Sequence, residues 1–137
     1  MKIFLKLNGL ALLYGIGCWI PAELFVNVYR IQRIWKLQHT YLFIWLLVIS
    51  AGLAGTRLVY ALTKRWLGHT RLKYLLMLLW IPYFILLILG FAELYPIHDP
   101  AEVPLPAIGL VLIAWCMVYP FCIAAVNAAV DIRRSQA

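Results

Sequence analysis

Four apolar runs near the length of a membrane span dominate this chain, at about residues 7–28, 41–63, 74–92 and 105–130. A helix rises about 1.5 Å per residue and a bilayer's hydrocarbon core is about 30 Å thick, so roughly 20 apolar residues cross it once. The composition agrees, with 66% hydrophobic and only 12% charged residues, against about 25% charged in an ordinary soluble domain. The expected fold is therefore all-α: an integral membrane four-helix bundle over residues 1–137, a single membrane domain with no soluble domain.

Orientation follows from the cations. Between the second and third runs, Lys64, Arg65, Arg71 and Lys73 fall within ten residues. Lys and Arg flanking membrane spans are retained on the cytoplasmic side, so this hairpin belongs inside. The inner set is then Lys2, Lys6, Lys64, Arg65, Arg71, Lys73, Arg133 and Arg134, against Arg30, Arg33 and Lys36 outside. Both termini are expected in the cytoplasm, with the acidic stretch Glu93–Pro106 external. Size and cation placement suit a bacterial inner membrane. The net charge of +7 is explained by topology, so nucleic acid is not an expected partner.

Along the chain, Lys2, Lys6, a short apolar core and Gly17-Cys18 resemble a bacterial lipoprotein signal peptide. Gly15 stands where such signals usually carry Leu, and the apolar run continues past Cys18, so an uncleaved first span is expected. After it, Arg30, Arg33 and Lys36 share one helical arc and Ile31, Ile34 and Trp35 another. That pattern fits a short interfacial helix, or the solvated last turns of the first span. The middle of the second span, Ser50 to Thr56, contains the small-xxx-small pairs Ala51/Gly55 and Gly52/Thr56, which let a second helix approach closely. Four prolines and three acids in residues 93–106 predict an ordered, non-helical connection. The tripeptide Trp19-Ile20-Pro21 recurs as Trp80-Ile81-Pro82, which is too little to establish a duplication.

Residues that bear chemistry are few. Glu23 and Arg57 are the ionisable residues well inside the spans, and a charge there costs on the order of 3 kcal/mol on insertion scales. Asn8, Gly15, Trp19, Glu23, Asn27 and Arg30 form one stripe of the first helix, and Asn27 is placed to hydrogen-bond Glu23 at i, i+4. Depth separates Glu23 from Arg57: the first lies toward the outer face and the second toward the inner. Arg57 is expected to snorkel to the cytoplasm, and Glu23 to meet Arg30 or water.

Four short spans with one carboxylate in the first are similar to the small multidrug transporters. The resemblance covers Glu23 and the span count. Those proteins work as antiparallel dimers, which require a weak cation bias; eight inner cations against three departs from that pattern.

His98, Asp99 and Glu102 could be imagined as an external cation site, but their spacing matches no metal motif, and a solvated acidic loop is expected. Cys18, Cys116 and Cys122 lack C-x-x-C or metal spacing and read as packing residues. No nucleophile elbow or phosphate loop is present. The expectation is a non-enzymatic protein without metal or cofactor. It would act by binding other membrane proteins, as an accessory subunit or an immunity or exclusion factor, with the lipid bilayer, other membrane proteins or itself as partners. The alternative is a small homo-oligomeric transporter or channel using Glu23 and Asn27, with Arg57 a further binding or transport candidate; an intramembrane enzyme ranks third.

Overall fold

A computed structural model describes residues 2–36, 39–68 and 70–135, apart from the side chain of Arg134. Five α-helices form in this part: α1 (Lys2–Val26), α2 (Val28–Trp35), α3 (Thr40–Leu67), α4 (Leu76–Leu94) and α5 (Pro106–Ser135). Two 3₁₀ turns, Arg71–Leu75 and Pro100–Glu102, complete the chain, and no strand occurs among the described residues. Helices α1, α3 and α5, and α4 together with the turn before it, are each long and apolar enough to cross a membrane. His69, expected on the inner side, lies outside the described residues.

Several boundaries differ from those read off the sequence, for local reasons. Helix α1 already includes Lys2 to Lys6, because nothing in those residues stops a helix, polar lysines included. At the other end only Asn27 leaves helical geometry: its N–H still donates to the Glu23 carbonyl, and its own carbonyl accepts from Ile31, both at 2.9 Å. Helix α2 is thus nearly a continuation of α1. It stops at Lys36, which takes a left-handed conformation (φ 49°) that ends the helical path. The connection expected to be non-helical contains the Pro100–Glu102 turn, capped by Asp99, whose side chain accepts from the Ala101 N–H at 2.9 Å.

Helix α1 is the centre of the bundle. It packs on α4, α3 and α5, and its own Leu10, Ala11 and Cys18 are fully buried. The stripe read from the sequence turns out to face α4. Asn8 Oδ1 accepts from the Tyr83 hydroxyl at 2.6 Å, and Trp19 meets Phe91 edge-on with ring centroids 5.7 Å apart. Between them sits Gly15, where an added Cβ would come within 2.9 Å of the Tyr83 Cβ and 3.3 Å of the Phe84 nitrogen. The α1–α4 contact is close because position 15 has no side chain. These contacts climb both helices together, so α1 and α4 run parallel.

Helix α3 runs antiparallel to α1, with Gly9 near Trp66 at one end and Phe25 against Trp45 at the other (5.1 Å). Helix α5 is also antiparallel to α1 and is tied to it by the Tyr119 hydroxyl, which donates to the Tyr14 carbonyl at 2.7 Å. That hydroxyl lies 2.9 Å from where a Cβ on Gly17 would be, so Gly17 leaves the space through which Tyr119 reaches the α1 backbone. Trp19 and Trp80, the paired positions of the repeated tripeptide, differ in setting: Trp80 is buried against Tyr119 (4.9 Å), whereas Trp19 is half-buried against Phe91.

Candidate functional site

The end of the bundle that carries α2 and the 95–105 connection is built by one ionic cluster. Arg30 on α2 reaches across with all three guanidinium nitrogens. Its Nε donates to Glu102 Oε2 at 3.0 Å, and its terminal nitrogens donate to the Tyr95 carbonyl at 3.2 Å and the Pro96 carbonyl at 3.0 Å. Arg33, one turn on, pairs with both Asp99 and Glu102. Glu102 is buried, its side chain only 5% exposed, so its charge depends on these two partners. Asp99 is held below the usual carboxylate range, first by the Ala101 N–H and also by Arg33, against an opposing effect of desolvation.

This narrows two expectations. The acidic connection is only partly solvated: Asp99 and Glu102 both pair with α2, and Glu102 is buried while the Asp99 side chain stays exposed. Arg30 does not pair with Glu23, one of the two settings expected for that carboxylate; its guanidinium is directed to three positions on the connection instead. The stretch 29–36 signalled a basic helix face, but the partner for that face lay some 70 residues away in sequence and could not be read locally.

Beneath the cluster, α1, α4, α5 and residues 95–97 line an open cavity of about 690 Å³, within the range of small-molecule sites. Its walls are almost wholly apolar, with Phe84, Phe91 and Leu112 among them, and Glu23 and Asn27 supply the polar contribution. A second cavity of about 360 Å³ lies on the other side of the same two residues, bounded by Trp19, Ile31 and Phe91. Asn27 is buried; its amide donates to Glu23 Oε2 and to the Glu23 carbonyl, both at 3.0 Å. The pair thus stands as a small polar partition between two apolar spaces.

Arg57 does not join it. It is exposed on α3, and among the described residues Glu23 and Arg57 form no ion pair.

A second polar cluster at the opposite end was not anticipated. Lys73 is 2% exposed yet pairs with Asp131, whose other oxygen accepts from the Tyr74 hydroxyl at 2.9 Å. Asn127, fully buried, donates to the Lys73 carbonyl at 3.0 Å. Asn127 and Asp131 are four residues apart and share a face of α5, which is the sequence signal that could have pointed here. The cluster fastens the start of α4 to the end of α5.

On the flank of the bundle, the small-residue stretch of α3 is open. Ala51, Gly52 and Ala54 are exposed, and no atom lies within 4 Å of a Cβ built on Gly52 or Gly55. Ala51, Gly52, Gly55 and Thr56 form one bank of a crevice of about 160 Å³, with Trp115 and Cys122 of α5 on the other.

No known family model matches the chain, and no curated protein or solved structure is detectably similar to it.

Proposed function

We propose that this chain is a non-enzymatic multi-pass protein of a bacterial inner membrane, with both termini cytoplasmic, that acts by binding another membrane protein. An accessory subunit or an immunity or exclusion factor fits this reading. The observation that carries it is the contrast between two sets of glycines. Gly15 is buried and admits α4, and Gly17 leaves room for the Tyr119 hydroxyl of α5, whereas no atom lies within 4 Å of a Cβ built on Gly52 or Gly55. In a bilayer, helix association rests on close van der Waals packing at small residues rather than on a hydrophobic force, so an open glycine face is suited to a further helix.

The test is purification of the full chain in mild detergent beside Gly52→Leu and Gly55→Leu variants. A stoichiometric membrane-protein partner present with the wild type and lost with either variant supports the reading. A pure homo-oligomer that both variants leave intact overturns it.

A second reading, a small homo-oligomeric transporter or channel, is favoured by one observation: Glu23 and Asn27 stand between two apolar cavities. Glu23→Gln discriminates. The amide keeps the shape and hydrogen bonding of the side chain but cannot exchange a proton or carry charge. For the protein-binding reading, abundance, oligomeric state and partner recovery are unchanged. Loss of function in an abundant, correctly inserted Glu23→Gln protein would promote the transporter instead.

A further inference from the structure

Two of the three cysteines meet across the α1–α5 contact. Cys18 on α1 is fully buried, Cys116 on α5 is half-buried, and both are free thiols. The hydrogen bond from Tyr119 to the Tyr14 carbonyl lies one turn away along each helix. Because the helices are antiparallel, that bond sets the register that brings position 18 opposite position 116. Both side chains pack into the same apolar core, Cys18 within it and Cys116 against it. Cys116 also forms part of the wall of the 690 Å³ cavity, on the side facing Phe84 and Phe91.

We propose that Cys18 and Cys116 are a redox-active dithiol, oxidised to a disulfide between α1 and α5 by a lipophilic quinone that occupies the adjoining cavity. In this step the two S–H bonds break and one Sγ–Sγ bond forms. The two electrons and two protons released pass to the quinone, which leaves as the hydroquinone, and no further reactant is needed. The surroundings select this class of oxidant. Cys18 has no exposed surface and Cys116 lines a space whose walls are almost wholly apolar, so a charged soluble disulfide would have to shed its hydration to arrive. An uncharged planar ring loses little on entry and can stack on the Phe84 and Phe91 rings. The proposal does not rest on whether α3 binds a partner, since neither Cys18 nor Cys116 lines the crevice beside the α3 glycines.

The experiment uses the full chain, reduced and purified in mild detergent, with a decyl-substituted benzoquinone as probe and glutathione disulfide as the soluble comparison. With the quinone, the intact mass falls by two hydrogens, and proteolysis yields a peptide pair joined through Cys18 and Cys116. The Cys122→Ala variant behaves like the wild type, whereas Cys116→Ser does not lose the two hydrogens. Three results overturn the proposal: an unchanged mass in the folded wild type, a gain equal to a quinone adduct, or equally fast oxidation by glutathione disulfide.

Discussion

At the scale of single residues, the two ionic clusters differ in which partner is exposed, and that decides what each substitution does. Lys73 is buried, whereas the Asp131 side chain is 45% exposed. Removing the carboxylate strands an ammonium without its counterion; removing the lysine leaves an acid that water can still solvate. Asp131→Ala should therefore cost about 3 kcal/mol, and Lys73→Met clearly less, when thermal unfolding is followed in detergent. Equal losses would mean that the pair does not depend on burial of the lysine. Asp99 has its own pH signature. Its folded-state pKa is depressed by the Ala101 N–H and Arg33, so its contribution is present above the ordinary aspartate value of about 3.9 and is lost as pH falls through the lower folded value. Protease access to residues 95–105 should rise over that acid window. Asp99→Asn should remove the part of the pH dependence that Asp99 contributes, and an unchanged profile would assign the transition to another group. Because Asp99 is exposed, the effect should also weaken with added salt.

At the scale of elements, the helices divide by what their small residues touch. The α1 glycines sit under neighbouring atoms: Tyr83, Phe84 and Trp80 at Gly15, and the Tyr119 hydroxyl at Gly17. A side chain at Gly15 must push α4 away along its backbone, and overpacking of this kind costs about 1–3 kcal/mol. Gly15→Leu should lower the unfolding temperature or the yield of folded protein. Gly52→Leu on α3 should leave both unchanged, since nothing lies within 4 Å of that position. Similar losses from the two substitutions would show that the open face of α3 is packed after all. The prolines act differently from the glycines. Pro21, Pro82 and Pro120 all lie inside helices that continue through them, which membrane helices tolerate when neighbouring groups satisfy the freed carbonyl.

At the scale of the whole molecule, α1 and α4 run one way and α3 and α5 the other, so Lys2 and Ser135 lie at the same end of the bundle. That end also carries the turn containing Lys73; the opposite end carries the Arg30–Glu102 clamp. In the orientation proposed above from the cation count, the first end is cytoplasmic. Reporter fusions after Lys73 and after Arg134 should both read cytoplasmic, and one within residues 96–103 external. An external reading after Lys73 would reverse the whole orientation. The clamp adds a consequence of its own: by binding the Tyr95 and Pro96 carbonyls, Arg30 holds the chain that closes one end of the 690 Å³ cavity.

What the sequence determined by itself was the four long apolar helices. Apolar length sets how many helices can cross a bilayer, and this is a property of each segment alone. The polar stripe of α1 and the Glu23–Asn27 hydrogen bond were legible for the same reason, because helical spacing is local. Pairing between segments was not. That the stripe faces α4, that Arg30 turns from Glu23 to Glu102, that Lys73 is buried against Asp131, and that Cys18 meets Cys116 all depend on which helices are neighbours and in what register. In this bundle that register is set by close approach at Gly15 and Gly17 and by hydrogen bonds such as that from Tyr119 to the Tyr14 carbonyl. Groups this far apart in sequence meet only when the bundle closes, and it is the tertiary packing that leaves a carboxylate–amide pair between two cavities and Cys116, with Cys18 behind it, on the wall of one of them.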